Sequence, residues 1–228
     1  MRGYRFWNEG PVLDQGQDGY CVGFGWTGEL NAEPVVTGKP TFDFAASLFH
    51  LALKYDDIPG EADDTGTSVL AGAKAAQKMG FISEYRWCFS IDEVARGIYN
   101  HGPVVIGIPW LDSMFEPQYL PGHDEPNPKS GIAQVPNLPV LDCSGNEVGG
   151  HCCLLTGFTR FGNTEYFRLR NSWGESWGLN GDAMIRKQDL AKLLHGTGEA
   201  CIAFDNEQQP VLEPTPHGLA YPPRRPGM

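Results

Sequence analysis

The chain has 228 residues, with 17 Lys and Arg against 28 Asp and Glu, a formal net charge of −11. That balance excludes nucleic acid as a main partner, because phosphate binding draws on clustered cations. Glycine and proline number 29 and 18, which points to a loop-rich globular protein long enough to bury one large core or two smaller lobes.

The first half reads as helical. After Thr41, Phe44, Leu48, Leu51 and Tyr55 recur at helical spacing. A second helix is predicted over Val69 to Met79, capped by Thr67 or Ser68 and stopped by Gly80. Ser90-Ile91-Asp92-Glu93 is a capping-box pattern that opens a third, ending near Asn100-His101-Gly102. The second half turns to strands, predicted at Val104 to Ile108, Cys152 to Gly157, Tyr166 to Arg170 and Ala183 to Arg186. Between the first two, Glu116 to Gly150 is proline-rich and reads as a long surface loop. The tail from 207 to 228 is rich in proline and reads as disordered.

No apolar run follows the two arginines near the start, and the longest such run, Pro103 to Leu111, is too short to cross a bilayer. Neither a signal peptide nor a membrane partner is expected. The six cysteines contain no CxxC pair, which removes zinc-ribbon and thioredoxin-like readings. Free thiols in a reducing, cytoplasmic setting are the simpler expectation.

Three local patterns carry chemistry: Asp14-Gln15-Gly16-Gln17-Asp18-Gly19-Tyr20-Cys21, Gly149-Gly150-His151-Cys152-Cys153, and Asn171-Ser172-Trp173-Gly174-Glu175-Ser176-Trp177-Gly178-Leu179-Asn180-Gly181. Together they resemble the papain-like cysteine peptidases. The third block is highly specific, the first moderately so, and Gly-His means little alone; order and separation lift the combination. His151 follows Cys21 by 130 positions and Asn171 follows it by 150, within that family's spacing. The likeness extends over roughly residues 10 to 204, with a loosely matched middle.

The resemblance implies an α+β fold of two lobes, a helical one over about 10–100 and an antiparallel β-barrel-like one over about 101–206, with the active-site cleft between them. Cys21 would be the nucleophile, at the start of a central helix whose positive end faces the sulfur. His151 would take the thiol proton and return it to the leaving amine. Asn171 would orient the imidazole, and Trp173 would shield that bond and flank the substrate. Gln15, with the backbone N–H of Cys21, would bind the oxyanion. Gly66 would pair with an extended substrate, and Trp177 would line the leaving-group side or else serve as core. No metal or organic cofactor is implied; the partner is a peptide or protein substrate, and the oligomeric state is left open. Each residue also has a plain reading: Cys21 as a small hydrophobe, Asn171 and Gln15 as turn residues, Cys152 and Cys153 as strand core.

The chain departs from the pattern at Asp18, which stands where the family has a disulfide-forming cysteine, and at Val22, where it has Trp. The missing staple agrees with a reducing location. The negative charge of Asp18 is expected to make Cys21 a less acidic thiol. A start about 20 residues before the nucleophile suits a bacterial or phage-type relative made without a pro-segment, with the tail or the 116–150 loop as a restraint across the cleft. Two rivals to peptide hydrolysis remain: amide hydrolysis or peptidyl transfer on cell-wall peptides, and a catalytically silent binding module.

Overall fold

The computed structural model describes residues 4–34, 36–56, 66–119 and 138–205. The 207–228 tail and most of the proline-rich loop lie outside these residues, and so does their expected role as a restraint.

After a short strand, β1 (Arg5–Phe6), the chain enters α1 (Cys21–Asn31). Nine of the eleven α1 residues are buried, so this helix has no solvent face and sits enclosed in the molecule. Its glycines, poor helix formers, are required by close approach. A Cβ on Gly23 would lie 2.3 Å from the carbonyl oxygen of Ala45, and one on Gly25 would lie 2.7 Å from the sulfur of Cys152. Trp26 is fully buried and donates its indole N–H to the Val69 carbonyl at 3.1 Å.

Two predicted helices follow, the second with one of its two candidate caps. In α2 (Phe42–Ala52) the Thr41 hydroxyl accepts from Phe44 N–H at 3.2 Å, and in α3 (Val69–Lys78) the Ser68 hydroxyl accepts from Ala71 N–H at 3.1 Å. Then comes β2 (Ile82–Trp87), absent from the sequence prediction because a bulge between Ile82 and Glu84 breaks the two-residue alternation. In α4 (Ile91–Asn100) the Ser90 hydroxyl accepts from Glu93 N–H at 3.2 Å. The Glu93 carboxylate accepts from Phe89 N–H at 2.7 Å, one residue before the N–H that a capping box uses.

The remaining elements are β3 (Val104–Leu111), β4 (Glu147–Phe161), β5 (Thr164–Arg170), β6 (Asp182–Arg186), α5 (Lys187–Leu194) and β7 (Glu199–Asp205). The sheet runs β2-β7-β3-β4-β5-β6, with β1 on β4, and every strand pair is antiparallel. Because β4 starts at Glu147, the end of the expected loop is strand.

The two hydrophobic cores lie on opposite faces of this sheet. Val105, Cys152 and Leu154 point to the α1–α3 side with Trp26, Leu48 and Val69; Ile106, Cys153 and Leu155 point to the other side with Ile98 of α4 and Leu190 of α5. Burial on both faces explains why β3 and β4 read as continuous apolar runs. It also moves the expected lobe boundary near residue 100. β2 pairs with β7, and α4 packs on β4 from the face opposite α1, so residues 82–100 belong with the sheet rather than with the helices.

Candidate active site

Cys21 opens α1, and the preceding Tyr20 supplies no side-chain cap. The first-turn N–H groups are left to the sulfur, together with the positive end of the helix dipole. Tyr20 instead packs its ring on α2, 4.5 Å from Phe49 and 5.3 Å from His50, and so fixes the residue before Cys21. His151 lies on β4 opposite Ile108 of β3. Both Cys21 and His151 line one cleft of about 710 Å³, with Gln15, Gly66 and Glu199.

His151 is 8% exposed and its Nε2 lies 2.7 Å from Oδ1 of Asn171. Asn171 Oδ1 also accepts from the backbone N–H of Ser172 at 2.8 Å. An amide nitrogen in that place would set two donors against each other, so the oxygen assignment holds and Nε2 is the protonated nitrogen. Nδ1 is then the basic site, free for the proton of Cys21. Trp173 packs at 4.8 Å from the imidazole and Trp110 of β3 meets it edge-on at the same centroid distance. These rings keep water from the His151–Asn171 bond.

The Cys21 thiol is pushed above its usual pKa by burial, against which the backbone N–H groups of Cys152, Val22 and Cys21 itself pull down. Asp18, exposed at the surface, is not among the causes. Desolvation, and not the charge of Asp18, is the cause of this rise. Burial likewise pushes His151 down to about 4, opposed by the bond to Asn171. Both shifts favour the uncharged forms, thiol and neutral imidazole.

Gln15 is 6% exposed and held from three directions. Its backbone N–H reaches the Ser172 carbonyl at 2.9 Å, its Oε1 accepts from the Ser172 hydroxyl at 2.7 Å, and its Nε2 donates to the Asp18 carbonyl at 2.7 Å. Gly174 N–H adds a bond to the Leu13 carbonyl at 3.0 Å. The first and third motifs are thus zipped together along a short antiparallel contact. Downstream, Gly178 turns with φ +60°, and a Cβ there would lie 2.3 Å from the Asp182 carbonyl oxygen.

Gly66 lines the cleft as predicted, and nothing lies within 4 Å of where its Cβ would be. The two tryptophans are placed differently. Trp173 is half-buried against His151 and stacks on Phe115 at 5.4 Å. Trp177 is 7% exposed and packs in the core behind it, 6.1 Å from Trp173 and 6.2 Å from Trp110. For Trp177 the core reading replaces the leaving-group reading. Trp110, Phe115 and Ser172 were not singled out from the sequence. Trp110 sits inside an apolar strand run and Phe115 just beyond it, with no local signal of their role; Ser172 lay within a recognised motif, but its partner is 157 residues away.

A family model described as papain family cysteine protease matches residues 72–197, which include His151 and Asn171. The chain belongs to the papain family of cysteine proteases. Cys21 and Gln15 lie outside the matched stretch and enter the papain-like site through the geometry above. Mouse (Mus musculus) cathepsin O is 38% identical over 104 residues, 46% of this chain and 27% of that protein. A viral cathepsin of Spodoptera litura multicapsid nucleopolyhedrovirus is 31% identical over 205 residues, 77% of this chain and 53% of that one. The chain therefore spans between about a quarter and a half of these relatives' lengths. Among solved structures, digestive procathepsin L 3 of Tenebrio molitor larval midgut superposes with a TM-score of 0.59 at 18% identity, covering 88% of this chain and 69% of that one. It shares the papain-like two-lobed fold.

Proposed function

We propose that this papain-family chain hydrolyses peptide bonds through an acyl-enzyme on Cys21. The observation that carries the reading is the 2.7 Å contact between His151 Nε2 and Asn171 Oδ1, which leaves Nδ1 unprotonated in the cleft that Cys21 lines. The Cys21 proton passes to His151 Nδ1 as the sulfur attacks the carbonyl carbon. The carbonyl oxygen takes the negative charge and is met by Gln15 Nε2–H and the N–H of Cys21. Collapse breaks the C–N bond, and the amine leaves with the proton from His151. Water, deprotonated by the same nitrogen, then cleaves the thioester and restores the thiol.

The substrate in this reading is an extended peptide or protein segment lying past Gly66. A reducing setting is part of the proposal, supported by six cysteines that are all free thiols and by Asp18 in place of a disulfide partner. The test joins stoichiometry to turnover. Iodoacetamide should label one cleft thiol in preference to the five others, faster as the pH rises; Cys21→Ala should lose both the label and hydrolysis of a fluorogenic peptide library, and His151→Ala should lose hydrolysis. Hydrolysis of purified peptidoglycan but of no peptide would transfer the chemistry to cell-wall substrates; unaltered labelling in Cys21→Ala would end the reading.

A further inference from the structure

The segment after β1 stays on the sheet: Trp7 N–H reaches the Thr156 carbonyl at 2.9 Å, and the Arg168 guanidinium donates to the Trp7 carbonyl at 2.6 Å. Two residues on, Glu9 is thereby set against Arg168 and Arg170 of β5. Its Oε1 accepts from Arg170 at 2.6 Å. Its Oε2 lies 3.1 Å from the Arg168 guanidinium, an ion-pair contact without hydrogen-bond alignment, and is buried with no hydrogen-bond partner among the described residues. The same holds for Asn171 Nδ2, on a residue only 1% exposed. Asn171 cannot turn to relieve it, because Oδ1 is engaged by His151 and Ser172 and the backbone N–H by the Gly181 carbonyl at 2.9 Å.

Glu9 and Asn171 line one cavity of about 20 Å³, which α1 covers with Phe24 and the bare backbone of Gly25 and Gly28. That volume suits one water, which needs at least two polar partners, and buried polar atoms are paired in nearly all folded proteins. We propose that this cavity holds a water that accepts a hydrogen from Asn171 Nδ2 and donates one to Glu9 Oε2, making Glu9 a positioning residue for the His151–Asn171 pair. The inference rests on the peptidase reading above for its consequence in catalysis. A carboxylate that draws on the Nδ2 hydrogens through the water polarises the amide, strengthens Oδ1 as an acceptor and tightens its hold on the imidazole. The groups that face Glu9 are Arg168 and Arg170 of β5 and Asp182 of β6, with the thiols of Cys152 and Cys153 of β4 across the cavity; α1 brings no charged residue to it. Burial, and next to it Asp182, push Glu9 up to about 7 against the pull of the two guanidinium groups. Above that pH the carboxylate, the better acceptor, prevails.

The experiment uses NMR of the isotope-labelled full chain. Water-selective ROE spectra should show a cross-peak between a bound water and the Asn171 side-chain amide, with the sign that separates it from hydrogen exchange. The His151 Nε2–H resonance should move downfield as the pH rises through about 7. Glu9→Gln, similar in size and unable to ionise, should lose that step. With a fluorogenic peptide, the wild-type to Glu9→Gln ratio of kcat should rise about fivefold over the same range, the worth of one hydrogen bond. A ratio equal at every pH is what a merely structural role gives. No water cross-peak, an unchanged His151 step in Glu9→Gln, or a flat kcat ratio overturns this inference and leaves the peptidase reading standing. If Glu9→Gln does not fold, the wild-type cross-peak and downfield step decide alone. No turnover of any peptide, with both resonances behaving as expected, overturns the peptidase reading and leaves the water and its bond to Glu9 established.

Discussion

Ser172 holds Gln15 across 157 residues of sequence: its hydroxyl donates to Gln15 Oε1 at 2.7 Å. The Asp18 carbonyl at the other end, which can only accept, settles which end of the amide is nitrogen, so Nε2 is the donor. One of its hydrogens goes to the Asp18 carbonyl and the other is available to an oxyanion over Cys21. Gln15→Ala should therefore lower kcat by about a hundredfold or more with little change in KM, the signature of a lost oxyanion donor. Ser172→Ala should lower kcat by only about fivefold, since it frees the amide to turn without removing it, at the usual cost of one neutral hydrogen bond of about 1 kcal/mol. Equal losses in the two variants would show that Ser172 does more than orient Gln15.

The Cys21 thiol gives a second test. Its pKa is raised by burial, and Asp18 is not among the causes. The pH midpoint of iodoacetamide alkylation is expected above that of an ordinary cysteine. Asp18→Asn should leave that midpoint where it is. A clear downward shift in the variant would return the charge of Asp18 to the explanation.

Much of the proposed catalytic set was legible because its residue types are local and dictated by chemistry. Gln15, Cys21, His151 and Asn171 sit in short motifs whose order and separation suggested one site, and the hydroxyl caps of α3 and α4 were readable from Ser68 and Ser90. What escaped depends on contacts remote in sequence. Trp110 matters because β3 carries it over His151, and a tryptophan in an apolar strand reads only as core. β7, with Ala200, Cys201 and Ile202 buried, shows no two-residue alternation. The three glycines of α1 spoke against a helix until Ala45 and Cys152 supplied the close approach that requires two of them.

Arg170 anchors Asn171 from the preceding residue. Its guanidinium bonds Asp182 at 2.5 Å and Glu9 at 2.6 Å, and Arg168 adds a contact to Glu9 at 3.1 Å, all with side chains 13% exposed or less. Burial, and next to it the neighbouring Asp182, push Glu9 up to about 7, with the two guanidinium groups pulling the other way. Arg170→Ala would leave Glu9 and Asp182 buried side by side, a loss of about 3–5 kcal/mol. Thermal unfolding should show Tm lower by roughly 10 °C, and the double variant Arg170→Ala with Glu9→Gln should recover part of it. A drop of less than about 2 °C would mean that water reaches the pair.

His151 links the site to acid stability. Its pKa is about 4 in the folded protein, because burial disfavours the imidazolium, against about 6.5 for an unperturbed histidine. The unfolded chain thus binds the proton more tightly, and stability rises with pH through this window. The contribution is complete above pH 6.5 and is lost as the pH falls towards 4, by about 3 kcal/mol in all. Urea unfolding at pH 7 and pH 4 should show this difference on top of the carboxylate contributions. In His151→Asn, which cannot take up a proton, the pH 7 to pH 4 difference should be smaller by that amount. An identical difference in both proteins would mean that the folded site accepts the imidazolium.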